Sequence, residues 1–117
     1  MEYRRMGRSG LKVSSFCLGT MTFGHGTEEE EAIRMVDLAT DAGVNFFDTA
    51  NVYAYGASEE ILGRAINDFA NRDEVVIATK VFVPMRKGPN GGGLSRKHIM
   101  SQIDQSLTRL NMDYVDL

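Results

Sequence analysis

The stretch NFFDTANVY, residues 45–53, decides the fold together with VVIATK, residues 75–80. Each begins as a short apolar run that is typical of a buried strand, and the two runs end on Asp48 and Lys80. Tyr53 follows shortly after the first run. Because functional groups in α/β proteins gather at the carboxyl ends of parallel strands, we expect an acid, a phenol and an amine to meet there.

Further strand patterns flank these two runs. Residues 4–14 form two alternating arms around Arg8-Ser9-Gly10, which predicts a β-hairpin with Gly10 supplying the permissive backbone angle. Residues 15–21 are typical of a mostly buried strand, and residues 113–117 begin another one. The chain therefore contains a hairpin followed by strands that helical segments separate.

The helical segments begin at residues that can cap a helix. Thr27 and Glu30 have the spacing of a capping box, and Ser58 and Ser95 are N-cap residues for the second and third helices. The third helix has a regular apolar stripe that predicts its buried face, formed by Ile99, Ile103, Leu107 and Leu110. The resulting order, a hairpin and then β-α-β-α-β-α-β, predicts an α/β fold with a parallel sheet.

Composition excludes several classes of function. The chain has 117 residues, which predicts one domain, and its 43% hydrophobic and 25% charged content is typical of a soluble globular protein. A net charge of −3 gives no reason to expect a nucleic-acid partner. No apolar run is long enough for a membrane span or a secretory signal, and the single Cys17 excludes an internal disulfide and a cysteine-cluster metal site. We expect a cytoplasmic protein without a metal.

The acid, the phenol and the amine suggest proton transfer. Neighbouring parallel strands lie about 4.8 Å apart, which allows Asp48 and Lys80 to form an ion pair, with Tyr53 folding back over it. An ammonium at about 4 Å attracts a phenolate by roughly 4 kcal/mol at an effective dielectric near 20, which makes the phenol a better general acid. Spacing alone leaves a plainer interpretation open: Asp48 caps a turn, Lys80 is solvated and Tyr53 is an ordinary half-buried aromatic.

Several stretches together resemble the signatures of the aldo-keto reductases. They are LGTM at 18–21, FDTANVY at 47–53, GASEEILG at 56–63, IATK at 77–80, SRKHI at 95–99 and DYVDL at 113–117. The resemblance covers essentially the whole chain. It implies the N-terminal part of a (β/α)8 TIM barrel, made of the hairpin, three βα units and the start of a fourth barrel strand, so that residues 1–117 are an incomplete domain.

The resemblance also implies a function, the reduction of aldehydes or ketones by hydride transfer from NADPH. By position in the motifs, Tyr53 is the proton donor, Lys80 makes the phenol more acidic and Asp48 orients Lys80. Gly19, Thr20 and Met21 match the segment that lies near the nicotinamide, and Asp48 matches a contact to its ribose. The expected partners are NADPH and a small carbonyl substrate.

The family's fourth catalytic residue is a histidine beyond a Tyr-Val-Asp-Leu type sequence, which here is residues 114–117 at the end of the chain. Neither His25, in a loop, nor His98, in the first turn of the third helix, is expected to replace it. We therefore expect an inactive N-terminal fragment of a longer reductase, whose open sheet edges allow self-association.

Two other functions compete with reduction. A phosphoryl-accepting receiver domain has a similar size and strand-end residues, but it needs an acidic pair for magnesium after its first strand, where this chain has Gly19-Thr20-Met21. A non-catalytic, NADPH-binding regulatory module of the same fold, like the potassium-channel β subunits, remains the alternative.

Overall fold

The computed structural model describes all 117 residues and begins with the expected hairpin. Strands β1 (Tyr3–Arg5) and β2 (Lys12–Ser14) pair antiparallel. The permissive backbone angle is supplied by Gly7, with φ +55°, whereas Gly10 does not adopt a positive φ. The prediction for Gly10 is therefore wrong, because the chain bends at the start of the turn rather than at its centre.

A parallel sheet with the order β3-β4-β5 forms the centre of the fold. It consists of β3 (Leu18–Gly19), β4 (Phe46–Asp48) and β5 (Val76–Ala78). The strand predicted over residues 15–21 is much shorter than expected, and Phe16 before it is 70% exposed. The reason is its place at the edge of the sheet, where only one side finds a partner.

Residues 113–117 lie beside β5, as expected for the start of a further strand. The amides of Asp116 and Leu117 donate to the carbonyl of Ile77 at 2.9 and 3.3 Å, and Thr79 donates to the Leu117 carbonyl at 3.0 Å. The Arg72 guanidinium fixes this segment, since it donates to the Asp116 carboxylate at 2.8 Å. These bonds align residues 116 and 117 with β5, although the segment does not form a regular strand.

Three helices cover one face of the sheet: α1 (Glu29–Asp41), α2 (Ala57–Phe69) and α3 (Arg96–Leu110). The core lies between them and the aligned row of Leu18, Phe47 and Ile77. Because side chains alternate along a strand, the next row faces the opposite side of the sheet. None of the helices is long and apolar enough to cross a membrane.

Of the three N-caps predicted from the sequence, only one forms. The Ser95 hydroxyl accepts from the His98 amide at 3.1 Å and caps α3, as expected. Helix α1 instead begins after Glu28, and Thr27 pairs with the Thr22 hydroxyl at 2.9 Å rather than forming a capping box. Ser58 lies inside α2 and caps nothing, because Gly56 precedes that helix.

The buried face of α3 also differs from the expected apolar stripe. The buried residues of this helix are His98, Gln102, Ser106 and Leu110. Ile99, which was expected in the core, is 37% exposed. This orientation brings Gln102 to a buried partner, Asn51, on the segment between β4 and α2.

Candidate active site

The first two predicted site residues meet at the carboxyl ends of β4 and β5. Asp48 is the last residue of β4, and its Oδ2 accepts from Lys80 Nζ at 2.6 Å. The ammonium donates a second hydrogen bond, of 2.8 Å, to the carbonyl of Thr49. Both side chains of the ion pair are partly exposed, at 33% and 49%, so a ligand can reach them. The third proton of the ammonium is left for another partner.

Tyr53 completes the group of three. Its ring lies beneath the ammonium, with 5.2 Å between Lys80 Nζ and the ring centroid, which is a cation–π distance. The loop after β4 is tied to the loop after β5 because the Asn51 amide donates to the Lys80 carbonyl at 3.2 Å. The structure thus brings Asp48, Tyr53 and Lys80 together at one edge of the sheet.

The backbone just after Tyr53 is strained. Residues Tyr53–Gly56 form a short 3-10 turn in which Ala54 and Tyr55 have φ of 48° and 51°. Gly56 follows with φ 101°. L-residues in this left-handed region cost on the order of 1–3 kcal/mol each and persist only where the surroundings impose them, often at functional sites. This turn displaces the start of α2, which is why Ser58 does not cap it.

A cluster of buried hydroxyl groups supports the site from the helix side. Ser58 Oγ donates to the Thr20 carbonyl at 2.8 Å and lies 2.8 Å from Thr20 Oγ1 and 3.1 Å from Thr49 Oγ1. Thr20 Oγ1 in turn donates to the carbonyl of Asp48 at 3.1 Å. The cluster joins the ends of β3 and β4 to α2, and sequence reasoning missed it because Ser58 was assigned to capping.

A buried ion pair joins α2 to α3 near the end of β5. The Glu59 carboxylate is fully buried and accepts from Arg109 Nε at 2.6 Å and from Thr79 Oγ1 at 2.6 Å. Thr79 directly precedes Lys80 in the chain. The Glu59 carboxylate therefore joins α2, α3 and the end of β5. In the sequence, only its position directly after Ser58, the predicted N-cap, distinguishes Glu59 from other acidic residues.

The residues predicted to contact a cofactor lie at the end of β3. Gly19 pairs with Asp48 in register, and a Cβ there would meet nothing within 4 Å, so this position opens onto free space. Met21 is 65% exposed. Thr20, in contrast, is fully buried, and its amide, hydroxyl and carbonyl groups all bond within the protein. A planar ring could therefore lie against Gly19 and Met21, with Thr20 supporting them from behind.

The other reactive side chains in the chain are those of two histidines and one cysteine. His25 is exposed in the loop after β3, and His98 is buried in the first turn of α3. Cys17 precedes β3 and is exposed at the surface, but partial desolvation of its thiol raises the pKa of that group. The Asp48 carboxylate raises this pKa further and the Lys80 ammonium lowers it.

The geometry defines a class of site. A phenol beside an ammonium can give up a proton, because the cation stabilises the phenolate that remains. The carboxylate fixes the ammonium, and the backbone row at Gly19 leaves space for a flat ligand. The fold is a parallel α/β arrangement with a carboxylate, an ammonium and a phenol at the carboxyl ends of its strands.

Comparison with known proteins assigns the family. Residues 15–117 match the model of the Aldo/keto reductase family, and the chain belongs to this family. It is 50% identical to a probable voltage-gated potassium channel subunit beta from Oryza sativa subsp. japonica, over all of this chain and 36% of that protein. It is 45% identical to the uncharacterized oxidoreductase YrpG from Bacillus subtilis, over all of this chain and 39% of that protein.

A solved structure agrees with the fold prediction. The aldo-keto reductase AKR11C1 from Bacillus halodurans, in its holo form, superposes with a TM-score of 0.86 at 34% identity. The match covers 98% of this chain and 38% of that one. The chain thus has the fold of the N-terminal part of a (β/α)8 barrel, as predicted, and spans little more than a third of the length of these relatives.

Proposed function

We propose that this chain is the N-terminal part of an NADPH-dependent reductase of aldehydes or ketones, with Tyr53 as the proton donor. The observation that carries the proposal is the position of Lys80 Nζ, 2.6 Å from Asp48 Oδ2 and 5.2 Å from the Tyr53 ring centroid. Family membership and the oxidoreductase among the relatives support it.

The proposed chemistry needs a proton at the carbonyl oxygen. NADPH supplies a hydride to the carbonyl carbon when it is bound. The carbonyl oxygen then gains the electron pair of its double bond and takes the proton of the Tyr53 hydroxyl. The phenolate that remains is stabilised by the Lys80 ammonium, while Asp48 holds that ammonium in place.

The residues at the end of β3 fit the nicotinamide end of such a cofactor. Gly19 and Met21 offer an open surface and Asp48 a partly exposed carboxylate that can accept from a ribose hydroxyl. We place Thr20 behind them, as the residue that fixes the end of β3. The preference for NADPH over NADH follows from the family resemblance.

Replacement of Tyr53 with Phe in a complete barrel that contains residues 1–117 tests the proposal. We expect Tyr53→Phe to abolish carbonyl reduction, followed through NADPH absorbance, while NADPH binding is retained. Tyr55→Phe is the matched control, because Tyr55 lies two residues away and is 81% exposed. Full turnover by Tyr53→Phe would refute the assignment.

A second candidate is a regulatory subunit that binds NADPH without turnover. The relative named as a probable voltage-gated potassium channel subunit beta, at 50% identity, favours it. Aldehyde turnover by the complete barrel separates the two functions. NADPH binding with no reduction of any aldehyde tested would support the regulatory subunit.

We further propose that residues 1–117 form an incomplete, cytoplasmic domain that is inactive and associates with itself when alone. Strand β3 and the segment beside β5 each leave one edge without a partner. Free edges of this kind pair with other chains. Analytical ultracentrifugation of residues 1–117 is expected to show oligomers, and a monomer with cooperative melting would contradict this.

A further inference from the structure

Helix α3 turns a polar face toward the segment that carries Tyr53. Gln102 and Asn51 are both buried, at 6% and 1% exposure, and Asn51 Nδ2 donates to Gln102 Oε1 at 2.9 Å. Arg109, two turns further along the same helix, forms the buried ion pair with Glu59. The face of α3 that is buried against this part of the chain is therefore mostly polar, with Leu110 as its apolar member.

These two contacts lie on either side of Tyr53 in the chain. Asn51 precedes Tyr53 by two residues, and Glu59 follows in the first turn of α2. The Arg109 side chain also lies against Gly56, where a Cβ would meet Arg109 Cδ at 2.6 Å. Helix α3 therefore holds both ends of the segment 51–59.

The segment 51–59 needs contacts with other elements because the backbone at its middle is strained. Ala54 and Tyr55 adopt left-handed backbone angles, which L-residues keep only where surrounding contacts impose them. If either end were released, the strain could relax, and the relaxation would move the Tyr53 ring relative to Lys80 Nζ. A displacement of about 1 Å in an active site can lower the rate about 100-fold.

We propose that Gln102 and Arg109 are positioning residues for Tyr53, acting through Asn51 and Glu59. The inference rests on the proposed function, since it concerns the placement of the proton donor. Gln102 gives the cleaner test, because removal of Arg109 would leave a buried carboxylate without its partner.

The test measures Gln102→Leu in a complete barrel that contains this chain. We expect kcat to fall at least about tenfold while the Kd for NADPH is unchanged, because the phenol moves and the cofactor surface on β3 does not. Gln105→Leu is the matched control, since Gln105 is exposed and bonds only to Ser101 within the same helix. It should retain the parent kcat.

Two further variants separate positioning from stability. Gln102→Asn keeps an uncharged amide oxygen that can accept from Asn51 and should retain more of kcat than Gln102→Leu, whereas Asn51→Ala removes the donor and should reproduce the loss. If Gln102→Leu does not fold, the contrast between these two variants decides. A lowered melting temperature with unchanged kcat in Gln102→Leu or Asn51→Ala would overturn the inference.

The outcomes also separate this inference from the proposed function. If Tyr53→Phe keeps full turnover, the proposed function fails. If Tyr53→Phe is inactive but Gln102→Leu and Asn51→Ala match the Gln105→Leu control, only the positioning role fails.

Discussion

Gly63 of α2 lies directly against the backbone of Leu110, the last residue of α3. A Cβ on Gly63 would overlap the carbonyl group of Leu110, so the two helices approach as closely as their backbones allow. This approach brings Arg109 within reach of Glu59 and Gly56. Because Gly63 has no Cβ, α3 lies close enough to α2 to contact the segment 51–59.

We predict that Gly63→Ala destabilises the protein. Alanine normally favours a helix interior by about 1 kcal/mol over glycine, but overpacking costs about 1–3 kcal/mol. A lower free energy of unfolding in urea is therefore expected, against the helix propensity. Gly10→Ala is the control, because a Cβ there meets nothing within 4 Å. A Gly63→Ala variant more stable than the parent would contradict the close packing.

Glu59→Gln should be strongly destabilising. Breaking a buried ion pair by removing one partner costs about 3–5 kcal/mol, because the remaining charge stays buried. Glu59 is fully buried and Arg109 is 15% exposed, so solvent screening is slight. Neighbouring Glu60 is exposed, and Glu60→Gln should change the free energy of unfolding by less than about 0.5 kcal/mol. Equal effects of the two variants in urea unfolding would refute the prediction.

Lys80→Met is expected to affect activity far more than stability. The ion pair with Asp48 is partly exposed, and such pairs contribute less than about 1 kcal/mol. Loss of the cation beside Tyr53 should lower carbonyl reduction about 10²–10⁴-fold in a complete barrel. Lys87→Met, in the exposed loop after β5, serves as control and should keep full turnover. A large drop in melting temperature for Lys80→Met would show a structural role instead.

Cys17 should report on the charged pair. The residue is exposed, but partial desolvation raises the pKa of its thiol, so alkylation near neutral pH should be slower than for a free cysteine because less thiolate is present. Asp48 raises this pKa and Lys80 lowers it. The midpoint of the pH dependence of alkylation should therefore fall in Asp48→Asn and rise in Lys80→Met. Shifts in the opposite directions would show that the charges do not act on the thiol.

Local sequence patterns predicted which segments form helices and strands, whereas tertiary contacts determined where each helix begins and which of its faces is buried. Ser95 caps α3 because the serine and the amide it accepts from belong to the same turn. Ser58 was assigned the same role, but the strained turn at Ala54 and Tyr55 moves it inside α2, where it bonds to Thr20. No sequence pattern predicts two consecutive non-glycine residues with left-handed backbone angles.

The same distinction holds for the site. The strand-end positions of Asp48 and Lys80 follow from the alternation of strands and helices, so their meeting could be predicted. The Asn51–Gln102 contact spans 51 residues and joins two uncharged amides. The apolar period of α3 pointed to Ile99 instead, because periodicity finds an amphipathic stripe and not the partner that buries it.

The hydrogen bonds that Asp116 and Leu117 make with β5 have a consequence for the folding of the sheet. The Asp116 carboxylate also accepts from the Ile77 amide at 2.9 Å, so side chain and backbone together align this segment with β5. Domains generally fold as units rather than strand by strand. The bonds of residues 116 and 117 are therefore expected to form together with the sheet, and their loss would weaken the sheet as a whole.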